Sequence, residues 1–360
     1  MIILNLIPSL SGGGAEQQLS YLAPELVSYG HSVHIAYLYE GPKRTQIQPS
    51  AIQFHKLTAI NNYDPSIVWQ LIRLIRQIKP DIIHTWIMQM DILGCIAAKI
   101  TKTPWILREP SSGIRYFSTW KFALRNFCAS FADGIISNSI AGNQFWQQKC
   151  PNVYRSIVRN GLPLVQIQNV QNALPDMFGL DTQQHYLLYV GRFEHGKNLE
   201  YMIKAMSVVM AEFPISVVLC GDGSLRHTLQ EQVSTLGLSK RVIFTGVVAN
   251  EVVWSLMKGA DALVFMSEYE GLPNVVIEAM ACGCPLVVSD IPAHREILDD
   301  DSALIVDHYD PSKIVQAIMH VLNHSELSQK RALNALAKVD TFSIAAMARS
   351  YEEIYSSIIP

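Results

Sequence analysis

Two glutamates stand eight positions apart in the run Glu270-Gly271-Leu272-Pro273-Asn274-Val275-Val276-Ile277-Glu278-Ala279-Met280-Ala281-Cys282-Gly283. Proline has the fixed φ favoured at the first helical position, and glycine readily takes the left-handed conformation that ends a helix. The run therefore predicts a helix of about ten residues from near Pro273 to Cys282, with Glu270 in the loop before it and Glu278 on its second turn. The N–H groups at the start of such a helix attract an anion, and the two carboxylates accept hydrogen bonds from hydroxyls. A diphosphate flanked by a sugar and a ribose satisfies all of these groups together. That is the chemistry of a nucleotide-sugar.

A second cluster, Gly191-Arg192-Phe193-Glu194-His195-Gly196-Lys197-Asn198, directly follows the apolar run 186–190. Arg192 offers a planar fork and Lys197 a point charge, a pairing suited to gripping two phosphates. The loop Ser11-Gly12-Gly13-Gly14-Ala15-Glu16 follows the first apolar run and opens a helix. Its glycines let backbone approach a ligand and turn amides toward an anion. Gln17 stands where a dinucleotide fingerprint needs its last small residue, so the loop reads as a phosphate or sugar loop instead. Paired carboxylates also suit a glycosidase. Here they share one helix start, with cations supplied from elsewhere, which favours holding hydroxyls over transferring protons. His84, at the end of the apolar run 82–84, is a catalytic or acceptor-binding candidate, or simply satisfies a loop hydrogen bond. Cys282 and Cys284 read as core thiols.

Elements of strand and helix length alternate around these loops. Strand-like runs fall at 2–7, 33–38, 82–84, 105–107, 134–137 and 154–158, with helical patterns at 15–28, 66–78 and 91–100. Residues 160–184 break the rhythm with a Gln- and Asn-rich stretch. Strands are then expected at 186–190, 216–220, 242–244, 262–265, 286–289 and 303–306. Helices are expected at 199–212, 225–236, 251–258, 311–322 and 343–359. This βα order predicts an α/β fold of two doubly wound parallel sheets, whose ligands bind at the carboxyl ends of the strands and in the crevice between the domains. The expected domains are 1–164 and 165–342, with the terminal helix at about 343–360 returning to the first.

At 360 residues, with 49% hydrophobic and 16% charged residues, two well-filled cores are expected. Residues 1–164 carry 15 Lys and Arg against 8 Asp and Glu, whereas residues 165–360 carry 13 against 23. The basic first half suits an anionic partner such as a phospholipid surface. The segment 114–131 mixes Arg115, Lys121 and Arg125 with Tyr116, Phe117, Trp120, Phe122 and Phe127. It reads either as an amphipathic membrane-contact helix or as core packing with snorkelling cations. Six cysteines without zinc spacing and no apolar run of spanning length give a cytoplasmic expectation, with peripheral contact at an anionic inner membrane face. No nucleic-acid partner is expected.

Gly-Gly-Ala-Glu at 13–16, Gly191-Arg192 with Lys197-Asn198, Gly221-Asp222-Gly223, Phe244-Thr245-Gly246 and Glu270-x7-Glu278 together resemble the family 4 retaining glycosyltransferases of the GT-B fold. The resemblance runs over essentially the whole chain and is most specific in its second half. It implies two Rossmann-like domains. It further implies transfer of a sugar from a nucleoside-diphosphate sugar, UDP-sugar first, to a glycan or lipid-linked acceptor in cell-surface polysaccharide or lipopolysaccharide synthesis. No metal or other cofactor is implied, the nucleotide-sugar being the co-substrate. By resemblance, Arg192 and Lys197 bind the donor diphosphate, Glu278 binds the ribose hydroxyls, and Gly246-Val247 lies near the base. Glu270 and the amides of Gly271, Leu272, Pro273 and Asn274 hold sugar and phosphate, while Gly13 and Gly14 approach the phosphate from the other domain. Family members often carry a histidine in the loop where this chain reads Arg108-Glu109-Pro110. Proline cannot replace it, so Arg108 and Glu109 become acceptor-side candidates. A nucleotide-sugar epimerase or an inactive nucleotide-sugar-binding protein are the alternatives.

Overall fold

The computed structural model describes residues 1–47, 51–61, 64–111, 119–171, 178 and 185–359. The chain divides into two compact units, residues 1–162 with 341–360, and residues 163–340.

In the first unit, β1 (Ile2–Leu6), β2 (Ser32–Tyr37), β3 (Gln53–Lys56), β4 (Ile82–Trp86), β5 (Trp105–Glu109), β6 (Gly134–Ser137) and β7 (Arg155–Ile157) form one parallel sheet. Its order is β3-β2-β1-β4-β5-β6-β7, with Asn5 beside His84 in the central register. The connections include α1 (Gly14–Ser28), α2 (Lys43–Gln46), α3 (Ser66–Ile78), α4 (Met88–Thr101), α5 (Trp120–Ala129) and α6 (Ile140–Lys149). Central strands such as β4 are buried along their whole length, because helices cover both faces. One apolar layer lies beneath α1 and the C-terminal helix Ile344–Ile358, and the other beneath α3, α4 and α5. Ser343 starts the C-terminal helix by accepting from the Ala346 N–H at 3.1 Å.

In the second unit, α7 (Leu164–Asn169) precedes β8 (Tyr186–Val190), α8 (Leu199–Glu212), β9 (Ser216–Cys220), α9 (Arg226–Thr235), β10 (Val242–Gly246) and α10 (Asn250–Gly259). There follow β11 (Ala262–Phe265), α11 (Asn274–Ala281), β12 (Leu286–Ser289), α12 (Pro292–Arg295), β13 (Leu304–Val306), α13 (Pro311–Asn323) and α14 (Ser325–Leu336). The sheet is again parallel, in the order β10-β9-β8-β11-β12-β13. Each sheet has a switch point where chain order reverses, between β1 and β4 and between β8 and β11, and ligands of such sheets bind beyond the strand ends there. Both units are thus α/β, of doubly wound, Rossmann-like form, as the βα rhythm predicted.

Several elements depart from the sequence expectation. β3 is a half-exposed edge strand whose four residues include only one apolar side chain, Phe54, so it left no apolar run. α6 and α14 were not anticipated either, whereas α5 falls within the segment 114–131, for which a helix was one of two readings. α14 has weak amphipathicity and buries only Ser328, Ala332 and Ala335. Within 160–184, α7 occupies part of the expected connection, while 172–177 and 179–184 lie outside the described residues.

Candidate active site

α11 begins one residue later than expected: Pro273 caps it rather than filling its first position. Gly283 takes φ 67° just beyond the helix, as the C-terminal signal required. Glu278 then lies on the second turn and Glu270 in the loop after β11. Leu272 is buried beside the partly exposed Gly271 and Asn274, so this loop is anchored by its apolar residue.

The loops after β8 and β11 dock on each other. The Glu268 N–H donates to the Gly196 carbonyl at 2.9 Å, and Gly196 lies at φ 83°, where a Cβ would strike the Tyr269 ring. Only glycine fits both constraints. This docking brings the Lys197 ammonium into an ion pair with Glu270. Ser267 Oγ donates to the same carboxylate oxygen at 2.8 Å. Lys197 also lies 5.3 Å from the centre of the Phe265 ring, a cation–π contact that helps hold the ammonium at the strand end. Arg192, on the same loop, is exposed and has no ion-pair partner among the described residues; its backbone carbonyl accepts from the Tyr189 hydroxyl at 3.0 Å.

Behind the pair runs a line of hydrogen bonds that the sequence reading missed. The Ser267 carbonyl accepts from Ser289 Oγ at 2.6 Å, and His294 Nδ1 donates to the Ser289 carbonyl at 2.8 Å. Ser267, Ser289 and His294 are fully buried. Burial pushes the imidazole down to about 4, so it is neutral at physiological pH. A serine at the end of a buried strand is the one signal that could have pointed here.

Glu278 faces a different environment. Burial raises its carboxyl to about 7, with the nearby Trp254 indole pulling the other way. A carboxylate this close to neutrality accepts hydroxyl hydrogen bonds best once ionised. Gly246 lies at the end of β10 with φ 72°, and its carbonyl accepts from the Gly221 N–H at 2.9 Å. A Cβ at Gly221 would collide with the Gly191 carbonyl, so the neighbouring ends of β8 and β9 meet through glycine. Val247, just beyond, leaves its apolar side chain 82% exposed.

Gly13 and Gly14 lie in the first unit, exposed at the start of α1, with Gly13 as its cap. Beneath them Glu16 is buried and accepts from Ser9 Oγ at 2.9 Å.

The three acceptor-side candidates are interior groups, which corrects the expectation for Arg108 and Glu109 and leaves His84 with the second of its two readings, a hydrogen-bonded group. His84 is fully buried, hydrogen-bonded to the Tyr355 hydroxyl at 2.8 Å and tilted against Trp86. Burial, then the nearby Arg108 charge, holds it well below the ordinary histidine range. Arg108 donates to the Tyr351 hydroxyl at 3.0 Å and to Asn160 at 2.5 Å, fastening the C-terminal helix to the strand ends of its own unit. Glu109 is buried against Arg125 at 2.8 Å and the Trp146 indole at 3.0 Å. Asp91 takes the other side of Arg125 at 2.7 Å. A strand-end position in the sequence does not reveal that a terminal helix will cover it.

Of the segment 114–131, residues 114–118 lie outside the described residues. In the remainder, the expected pattern divides: Arg125 turns inward, while Trp120 and Phe127 are 66% and 63% exposed.

The model of "Glycosyl transferases group 1" matches residues 170–337, and that of "Glycosyltransferase Family 4" matches residues 12–164. An uncharacterised glycosyltransferase of Methanocaldococcus jannaschii is 32% identical over 40% of this chain, which spans only 37% of that relative's length. UDP-Gal:alpha-D-GlcNAc-diphosphoundecaprenol alpha-1,3-galactosyltransferase of Escherichia coli is 24% identical over 99% of this chain and 96% of its own. The crystal structure of Anabaena HepE in complex with UDP superimposes with a TM-score of 0.86 at 21% identity, covering 99% of this chain and 100% of that one.

Proposed function

We propose that this chain, which belongs to the family 4 glycosyltransferases of GT-B fold, moves a sugar from a UDP-sugar to a lipid-linked or glycan acceptor with retention of configuration and without a metal. The observation that carries the reading is the Lys197–Glu270 pair, held by Ser267 at the ends of β8 and β11 beside the start of α11.

The barrier in such a transfer is the charge that builds on the departing phosphate. Lys197 and the exposed Arg192 meet that charge as cations, and the N-terminal end of α11 adds its dipole. Glu270 holds the ammonium in place before the donor arrives and accepts from sugar hydroxyls at the moment of transfer. Glu278 accepts from the ribose, and Gly246 and Val247 border the base. No nucleophile is needed on the protein if the acceptor attacks from the face the phosphate leaves and the phosphate takes its proton. The UDP donor and the lipid-linked acceptor are supported by what the Escherichia coli relative is named for and by the nucleotide in the Anabaena structure. Such an acceptor places the reaction at a membrane surface, and no helix among the described residues is long and apolar enough to cross one.

The test is a product assay with a panel of UDP-sugars and undecaprenyl-diphosphate-linked acceptors. A new α-glycosidic product from an α-linked donor, formed in excess EDTA, is the expected result. Isomerised donor points to an epimerase, and binding without turnover to an inactive relative; either overturns the proposal.

A further inference from the structure

On one side of the first unit's sheet, α4 packs between α3 and α5. Helical spacing puts the exposed side chains of each in one outward stripe. On α3 and α4 these stripes, with the residues that end the helices, hold the exposed cations Arg73, Arg76, Lys79, Lys99 and Lys102. Among them stand the exposed apolar side chains Trp69, Ile96 and Ile100. The α5 stripe continues with Trp120, Leu124 and Phe127, and Phe131 stacks edge-on against Phe127 at 5.1 Å.

Among the described residues, no exposed acid stands within these three helices. The only carboxylate within the three helices is Asp91, and it is buried against Arg125. In the adjoining loops, Asp64 accepts from the backbone N–H groups of Ile60 and Ser66, Asp81 from that of Ile2 and Asp133 from that of Trp105. A helical layer facing only water ordinarily mixes both signs of charge. Between α4 and α5 the surface also opens into a groove of about 340 Å³, walled by Met88, Ile92, Leu93, Trp120 and Leu124 with Lys121 beside them.

We propose that the α3–α4–α5 face docks on an anionic phospholipid bilayer. The cations meet headgroup phosphates, Trp120, Phe127 and Phe131 enter the boundary between headgroups and acyl chains, and the groove between α4 and α5 receives an acyl chain. Charge of one sign with interleaved large aromatics is what such a surface selects. This inference does not depend on the donor site, which lies in the other unit.

The experiment is flotation of the full chain with vesicles of phosphatidylcholine alone or mixed with phosphatidylglycerol, at low and high salt. Binding is expected only to the anionic vesicles, and release is expected as salt screens charges beyond about 8 Å. Each exposed cation lost weakens partitioning by roughly fivefold. The pair Arg73→Glu with Lys99→Glu is therefore expected to bind at least about tenfold less, with UDP binding and thermal midpoint unchanged. Trp120→Ser with Phe127→Ser keeps the charge and tests the aromatic anchors, and it too is expected to lose binding. Equal binding to neutral and anionic vesicles, or wild-type binding by both double variants, overturns the proposal. So does a concentration-dependent dimer that these variants dissolve, since a second copy then covers the face.

Discussion

Lys197 and Glu270, 73 residues apart in the chain, meet in an ion pair at the ends of two adjacent strands, with side chains only 18% and 16% exposed. A pair this enclosed is not a solvated surface contact, and it stands where two loops dock through Gly196. Each partner therefore matters through the other. Removing Lys197 leaves Glu270 with Ser267 alone, and removing the Glu270 charge frees the ammonium to wander.

That coupling is measurable. A charge-assisted bond to phosphate contributes roughly 1.5–3 kcal/mol, so Lys197→Ala is expected to lower kcat about 10- to 150-fold. Glu270→Gln is expected to lower kcat too, and the double variant to be hardly worse than Lys197→Ala alone. Multiplying effects in the double variant would show that the two act separately.

The line from His294 through Ser289 to Ser267 holds the Glu270 loop from behind. Ser289→Ala removes the bond to the Ser267 carbonyl and is expected to lower kcat severalfold with donor KM little changed. His294→Asn keeps a donor near the Nδ1 position and is expected to retain most activity, whereas His294→Leu is expected to lose it. Equal losses in Asn and Leu variants would reduce His294 to a packing residue.

Glu278 carries a pH dependence with a definite sign. Its carboxyl is raised from about 4.5 to about 7, so the folded protein binds a proton there that the unfolded chain has shed. Its contribution to stability accordingly falls as pH rises across that window. Ribose hydroxyls bind the ionised form, so UDP affinity is expected to rise as pH increases through about 7, with proton release on binding. Glu278→Gln is expected to raise donor KM mainly, to flatten this dependence, and to stabilise the protein at pH 8. Calorimetry in buffers of different ionisation enthalpy reads the proton directly.

In the first unit, Arg125 bridges two buried acids, Asp91 and Glu109. Arg125→Met removes the cation that bridges them and is expected to cost roughly 3–5 kcal/mol, read as a lowered urea midpoint. A loss under about 1 kcal/mol would mean that the acids simply protonate.

The loop and helix that carry Glu270 and Glu278 were legible in the sequence because their signals are local. Pro273, Gly283 and the glutamate spacing set a loop and a helix within one short stretch, and the structure moves the helix start by a single residue. The βα rhythm was legible for the same reason, since fully buried strands such as β8 read as unbroken apolar runs. What the sequence hid is non-local. His84 and Arg108 stand at strand ends like functional groups, yet Tyr355 and Tyr351, 271 and 243 residues away, cover them. Arg125 sits among aromatics like an outward cation, but its partners come from β5 and α4. β3 left no signal because an exposed edge strand needs few apolar residues.

The claim on which the rest depends is that Lys197 grips a nucleotide's diphosphate, and paired titrations of UDP and uridine test it most directly. The wild-type protein is expected to bind UDP far more tightly than uridine. In Lys197→Ala, UDP affinity is expected to fall by at least about tenfold, which corresponds to ~1.4 kcal/mol, while uridine affinity stays the same. Equal affinity for UDP and uridine in the wild type, or an unchanged UDP affinity in the variant, would contradict the account.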